Sequence, residues 1–226
     1  MKRALFLILI GLGGAAILVA LGVWQVQRLA WKEGVIADIE ARIVAAPVAL
    51  PASPDPEVDA YLPVTVTGQF IGETRRILVS QKTLGAGYRL ITAFQTEGGP
   101  VLVDRGFLPT ARETAVLPEG TVTVIGNLQW PQETDSFTPE PDAQNNIWFA
   151  RDVPALAENL GTRPILVVAR QLSPAETDVT PFPVDTSRIP NDHLQYAITW
   201  FSLATIWLAM TLLFLLRRRR GQTAKG

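Results

Sequence analysis

ALFLILIGLGGAAILVALGVWQVQ, residues 4–27, and LQYAITWFSLATIWLAMTLLFLL, residues 194–216, contain no charged side chain. Each is longer than the roughly 20 apolar residues that carry a helix across a hydrocarbon core. They stand at the two ends of a 226-residue chain and leave room between them for one ordinary domain. The first run follows Lys2 and Arg3, as the core of a secretory leader would. Its apolar part, however, exceeds the roughly 7–15 residues of such a core, and no small-residue cleavage site closes it. Trp24 stands where small residues would be needed and suits an interfacial anchor instead.

Charge divides the chain at the same places. Lys2, Arg3, Arg217, Arg218, Arg219, Arg220 and Lys225 flank the apolar runs with no acidic residue among them. All 21 acidic residues lie between Glu33 and Asp192, against 13 basic ones between the two apolar runs, so a formal net charge of −1 hides a middle of about −8. Basic flanks stay in the cytoplasm, which predicts a multi-pass protein of a bacterial inner membrane with both termini inside and the middle in the periplasm. Arg217 to Arg220, directly after a span, read as a stop-transfer anchor on a lipid membrane and not as a nucleic-acid site.

The expected fold class is a membrane protein with two terminal transmembrane α-helices flanking a mainly antiparallel β, α+β and barrel-like, periplasmic domain. Its segments are a first transmembrane helix with a cytoplasmic N-terminus at 1–27 and a helix extension with a Pro-rich linker at 28–60. A β-rich domain at 61–192, a second transmembrane helix at 193–216 and a basic cytoplasmic tail at 217–226 complete it. Trp24, Arg28 and Trp31 fall at i, i+4 and i+7, which predicts that the first helix continues to about Ile43; Gln25 and Lys32 follow the neighbouring stripe. Pro47, Pro51, Pro54 and Pro56 break any helix beyond it. Short β-branched runs then predict strands at 62–70, 75–81, 89–96, 101–107, 121–128, 147–151 and 165–172. Gly98-Gly99 suits a tight hairpin. One helix fits 152–159, with Asp152 as N-cap, Pro154 in its first turn and Gly161 just past its end. Residues 131–145 read as a surface loop.

Catalytic chemistry finds little footing. Cysteine is absent and histidine occurs once, which excludes thiolate metal sites and the C-x-x-C-H attachment of haem. No G-x-S-x-G elbow, H-E-x-x-H pair, P-loop or G-x-G-x-x-G occurs, and the expectation is a protein that is not an enzyme. Asp104 followed by Arg105 reads as a strand-end ion pair. His193 is singled out by its place at the outer end of the second span. Asp192 with Gln195 resembles a capping box there, and His193, Tyr196, Trp200 and Trp207 share one side of the helix. On composition alone this is an interfacial histidine above an aromatic packing stripe. The sharper reading is a haem seat: an imidazole ligand above a flat apolar wall, with Arg28 or Lys32 available to propionates. Gly11, Gly13 and Gly14, with Ala15 and Ala16, allow another helix to approach the first span closely.

From Gly22 to Ala204 the chain resembles the Surfeit locus (Surf/Shy) family of cytochrome c oxidase assembly factors, as a bacterial member. The residues that carry the likeness begin with Gly22, Trp24, Gln25, Arg28 and Trp31-Lys32, then Tyr61, Pro63-Val64, Gly68 and Phe70. They continue through 101–109 (VLVDRGFLP), 146–152 (NIWFARD) and 191–201 (NDHLQYAITWF). Asp104 and Phe107 stand where the family often has Asn and Trp. The resemblance implies a chaperone in respiratory-chain biogenesis that assists haem a delivery or insertion into the catalytic subunit of a haem-copper terminal oxidase. That subunit is the implied partner, with haem a synthase as a second. Carried over, His193 ligates the haem iron; the residues' own arrangement adds Tyr196, Trp200, Arg28 and Trp24 as the expected lining of the cofactor. A structural chaperone that clamps the oxidase subunit without binding haem, and a quinol oxidase as the client, are the alternatives.

Overall fold

The computed structural model describes residues 2–81, 84–112, 115–187 and 189–223. Two compact units emerge: residues 1–38 with 187–226, and residues 39–186.

The first unit is a pair of long helices. Helix α1 spans Lys2–Ile43 and helix α3 spans His193–Thr223; both are long and apolar enough to cross a membrane. Along α1, Gly11, Ala15, Leu18, Gly22, Gln25, Leu29 and Lys32 are buried or half-buried, at alternating spacings of four and three. His193, Ala197, Trp200 and Ala204 repeat that spacing on α3. A seven-residue repeat keeps one seam of each helix against its partner. The pair is antiparallel: a Cβ added at Gly11 would meet Thr211, one at Gly14 would meet Trp207, and one at Gly22 would meet Phe201. Small residues let the backbones approach where a side chain would hold them apart. The remaining surface is a continuous apolar coat that includes Leu5, Phe6, Leu9, Leu12, Ile17, Ile206, Leu213 and Phe214, which water disfavours and lipid suits.

The second unit is a seven-stranded sheet with one helix. Its strands are β1 (Val48–Ala49), β2 (Pro63–Gln81), β3 (Gly85–Thr96), β4 (Gly99–Pro109), β5 (Val122–Gln129), β6 (Ile147–Trp148) and β7 (Leu166–Ser173); six follow the order β1-β2-β3-β4-β7-β5, and β6 pairs with β2 off this path. Strand β5 also pairs with β2, so the path β2-β3-β4-β7-β5 returns to its start. The sheet is mixed but mainly antiparallel, as expected: the long ladders β2–β3, β3–β4, β2–β5 and β5–β7 run antiparallel, while the short pairings of β4 with β7, β1 with β2, and β2 with β6 run parallel. The parallel β4–β7 pair follows from the crossover between them, which contains β5, β6 and helix α2 (Val153–Leu160). A connection that long reverses direction twice, and no local periodicity reports it.

The strands expected at 62–70 and 75–81 are one strand, β2, whose register with β3 slips between Ile71 and Thr74. The run expected at 147–151 shrinks to the two residues of β6, because Asp152 starts a helix. Its side chain accepts from the Ala155 amide, a proline occupies the first turn, and Gly161 closes α2 at φ 65°, a conformation that favours glycine. One core cluster gathers Val64, Phe94, Val101, Val103, Val124, Leu128 and Val167. A second seats Leu156 and Ala157 of α2 against Ile77, Ile91, Leu102, Leu166 and Ile43 at the end of α1. At ~1.5–3 kcal/mol for each fully buried aliphatic or aromatic side chain, these two layers hold the sheet together.

Candidate functional site

The one histidine begins α3, and its Nδ1 lies 2.8 Å from Oε1 of Gln25 on α1. Each residue arrives there for a local reason. Pro190 cannot continue a helix backwards, and the Asp192 carbonyl accepts the Tyr196 amide at 3.2 Å to open the first turn of α3. Gln25 lies in the heptad seam of α1 and is only 8% exposed. Gly22, one turn earlier, lets the ring of Phe201 come within the space that a side chain would occupy. An amide oxygen accepts and cannot donate, so this contact is a hydrogen bond when the imidazole carries its proton on Nδ1. The other ring nitrogen, Nε2, is then a lone pair free for another partner.

The other candidate residues divide by stripe. Trp200 is half-buried on the same seam as His193. Tyr196 and Trp24, at 55% and 53% exposed, belong to the outer coat. Arg28 is exposed too, and its guanidinium lies 4.0 Å from the ring centroid of Trp31, so the Trp24, Arg28, Trp31 stripe is intact but is not the stripe that meets α3. Lys32 is half-buried on the Gln25 stripe. Trp207 donates its indole N–H to the Gly11 carbonyl at 3.0 Å, which makes it a helix-packing residue. Gln25, which the sequence placed on the neighbouring stripe without a role, stands out as a polar side chain at a seam position within the charge-free run 4–27.

The 101–109 motif does different work. Neighbouring residues on a strand point to opposite faces, so Asp104 and Arg105 do not pair with each other. Asp104, fully buried, accepts from Arg89 Nε at 2.5 Å and from the Gly106 amide at 3.1 Å. Arg151 lies 4.0 Å from the same carboxylate and holds Glu133 at 2.6 Å. Arg105 grips Glu176 with two hydrogen bonds of 2.7 and 2.6 Å and donates to the Val116 carbonyl. Burial lowers the pKa of Arg89 despite the attraction of Asp104. Burial also pulls on Arg151, but its hydrogen bonds to Glu133 and the charge of Asp104 outweigh it and the pKa is raised. Gly106 adopts φ 126°, and a Cβ there would stand 2.3 Å from the Thr180 carbonyl oxygen, against the bridge that Phe107 and Thr180 form through their backbones. Asp104 and Phe107 are thus framework residues.

Among the described residues no group of three or more His, Cys, Asp or Glu side chains could hold a metal ion. A group that brings most of its own ligands is a different case, because one well-oriented nitrogen is all that it needs.

The sequence comparisons cover this whole arrangement. A SURF1-like protein of Monosiga brevicollis is 33% identical across 91% of this chain and 85% of its own length. The Surfeit locus protein 1 of Homo sapiens is 33% identical across 81% of this chain and 69% of its own. A SURF1-like protein of Rickettsia felis is 29% identical across 90% and 92%. The SURF1 family profile matches residues 12–205, from the glycine-rich turn of α1 through the sheet to the aromatic half of α3, and the chain therefore belongs to the SURF1 family.

Proposed function

We propose that this protein is a non-enzymatic assembly factor for a haem-copper terminal oxidase, embedded in a bacterial inner membrane, which holds haem a as cargo for the oxidase's catalytic subunit. Both termini lie in the cytoplasm and the closed, barrel-like sheet domain in the periplasm. Haem a synthase is the second partner. Family membership and the residues of the Surfeit locus resemblance support the cellular role. Support for the topology comes from the acid-free basic flanks and the apolar coat of α1 and α3.

The observation that carries the cargo reading is His193, held through Nδ1 by Gln25 and half-buried at the start of an apolar helix pair. The donor set fits. Haem supplies four nitrogens to its own iron, so a single imidazole suffices, whereas a bare ion would need a cluster that the described residues lack. His193 would hold the iron through Nε2. Trp200, beside it on the seam, supplies an apolar wall, while Tyr196 and Trp24 extend it outward. Arg28 and Lys32 offer positive charge to propionates near the water-facing end.

Deleting the gene, in a strain with no second copy, tests this. Oxidase activity and haem a content are expected to fall more than the amount of the catalytic subunit, because the subunit is made but incompletely loaded. His193→Ala is expected to insert normally and to lose haem from protein purified out of cells that make haem a. A His193→Ala protein with full haem content and an unshifted Soret band would return the protein to the rank of a structural clamp.

A further inference from the structure

We propose that Gln25 is a positioning residue that fixes the tautomer of His193, holding the imidazole as its Nδ1–H form so that the lone pair stands on Nε2; the consequence for haem rests on the reading above. In a free neutral histidine the proton prefers Nε2, which would leave that nitrogen unable to ligate a metal. Gln25 Oε1, 2.8 Å from Nδ1, reverses the preference because, with its oxygen turned to the ring, the amide rewards the Nδ1–H form with a hydrogen bond that the other form cannot make. The amide is well placed to enforce this. It is only 8% exposed, so water competes poorly for the imidazole proton. It also sits on the seam of α1, between Gly22 and Leu29, where packing against α3 restricts its rotamers. Ligating histidines generally donate their second ring N–H to an oriented acceptor, which fixes the ring and raises its basicity. Here the acceptor comes from the opposite helix. The ligand is therefore assembled only when α1 and α3 are paired, and the glycines that permit pairing become part of the site.

The chain contains one histidine, so its ring nitrogens can be read without assignment ambiguity. Full-length protein carrying ¹⁵N-histidine, purified through a tag without histidine and placed in lipid nanodiscs at about pH 8.5, well above the ordinary imidazole pKa, gives the tautomer directly from its two nitrogen shifts. Wild type is expected to show a protonated Nδ1 and a pyridine-like Nε2. Gln25→Leu, which fills the space but accepts nothing, is expected to return the majority to Nε2–H. Gln25→Glu, whose carboxylate can only accept at this pH, is expected to restore the wild-type pattern, which a merely space-filling role would not do. Wild type with its proton on Nε2, or Gln25→Leu with unchanged shifts, overturns the proposal. A titration with haem a then follows: Gln25→Leu is expected to bind on the order of 10-fold to 100-fold more weakly than wild type, with Gln25→Glu close to wild type. Equal affinity of Gln25→Leu and wild type overturns the positioning role. If wild type itself binds no haem a while its nitrogen shifts are as expected, the cargo reading falls and the tautomer assignment stands.

Discussion

The indole of Trp207 on α3 donates to the carbonyl oxygen of Gly11 on α1 at 3.0 Å, a bond from a side chain to a helix backbone that only close approach permits. A helical carbonyl has a second lone pair to spare for such a donor. A Cβ at Gly14 would stand 2.7 Å from the same indole nitrogen, whereas a Cβ at Gly13 meets nothing within 4 Å. Gly14→Ala is therefore expected to destabilise the helix pair by about 1–3 kcal/mol through overpacking, and Gly13→Ala to leave it nearly unchanged. Thermal unfolding in detergent micelles compares the two; equal melting would mean that the seam lies elsewhere.

In the sheet domain, Asp104 is the carboxylate between two buried guanidinium groups, those of Arg89 and Arg151. Asp104→Ala leaves both positive charges in the interior without it, and removing one partner of a buried ion pair costs about 3–5 kcal/mol. Asp104→Asn keeps one oxygen for two donors, Arg89 Nε and the Gly106 amide, and should fall between Ala and wild type. Urea unfolding of the full chain in mild detergent gives the order.

The segment 131–145 is organised by two carboxylates. Asp135 accepts from the Phe137 amide and the Thr138 hydroxyl, and Asp142 from the side-chain and backbone amides of Asn145. These bonds hold both below the ordinary value of 3.8. Folded values below the unfolded one stabilise the turns above pH 3.8, and the contribution is lost as pH falls through the folded values. Hydrogen exchange is expected to show the Phe137 and Asn145 amides losing protection below pH 3.8 while the sheet amides keep theirs. Asp135→Asn, which accepts without titrating, should remove the pH dependence at Phe137.

Topology is open to a direct test. The middle carries all 21 acidic residues and the flanks none, so alkaline phosphatase fused after Pro139 should be active and fused after Gly226 inactive. The reverse pattern would invert the placement.

Much of the fold was legible in the chain because it is written in local physics. Hydropathy marked both long helices, and Asp152, Pro154 and Gly161 announced α2, since a cap is satisfied within four residues. The proline-rich stretch concealed β1, whose two residues pair with Val64 and Thr65 and follow no alternation of their own. The 147–151 run looked like a full strand because β-branched and aromatic residues score alike whether they pair over two positions or five.

The sequence by itself determined that α1 and α3 each contain a charge-free apolar run long enough to cross a membrane, that one imidazole stands at the start of α3, and that a β-rich domain lies between. Each of these follows from what a residue is or from its nearest neighbours. Only the tertiary structure decided which stripe of α1 meets α3, and with it that His193 faces Gln25 while Trp24 and Arg28 lie in the outer coat. It also decided that Asp104 pairs with Arg89 and Arg105 with Glu176, and that β7 runs parallel to β4. Such partners lie 15 to 168 positions apart, and a contact of that range is selected by packing of whole elements, a competition that no local pattern records.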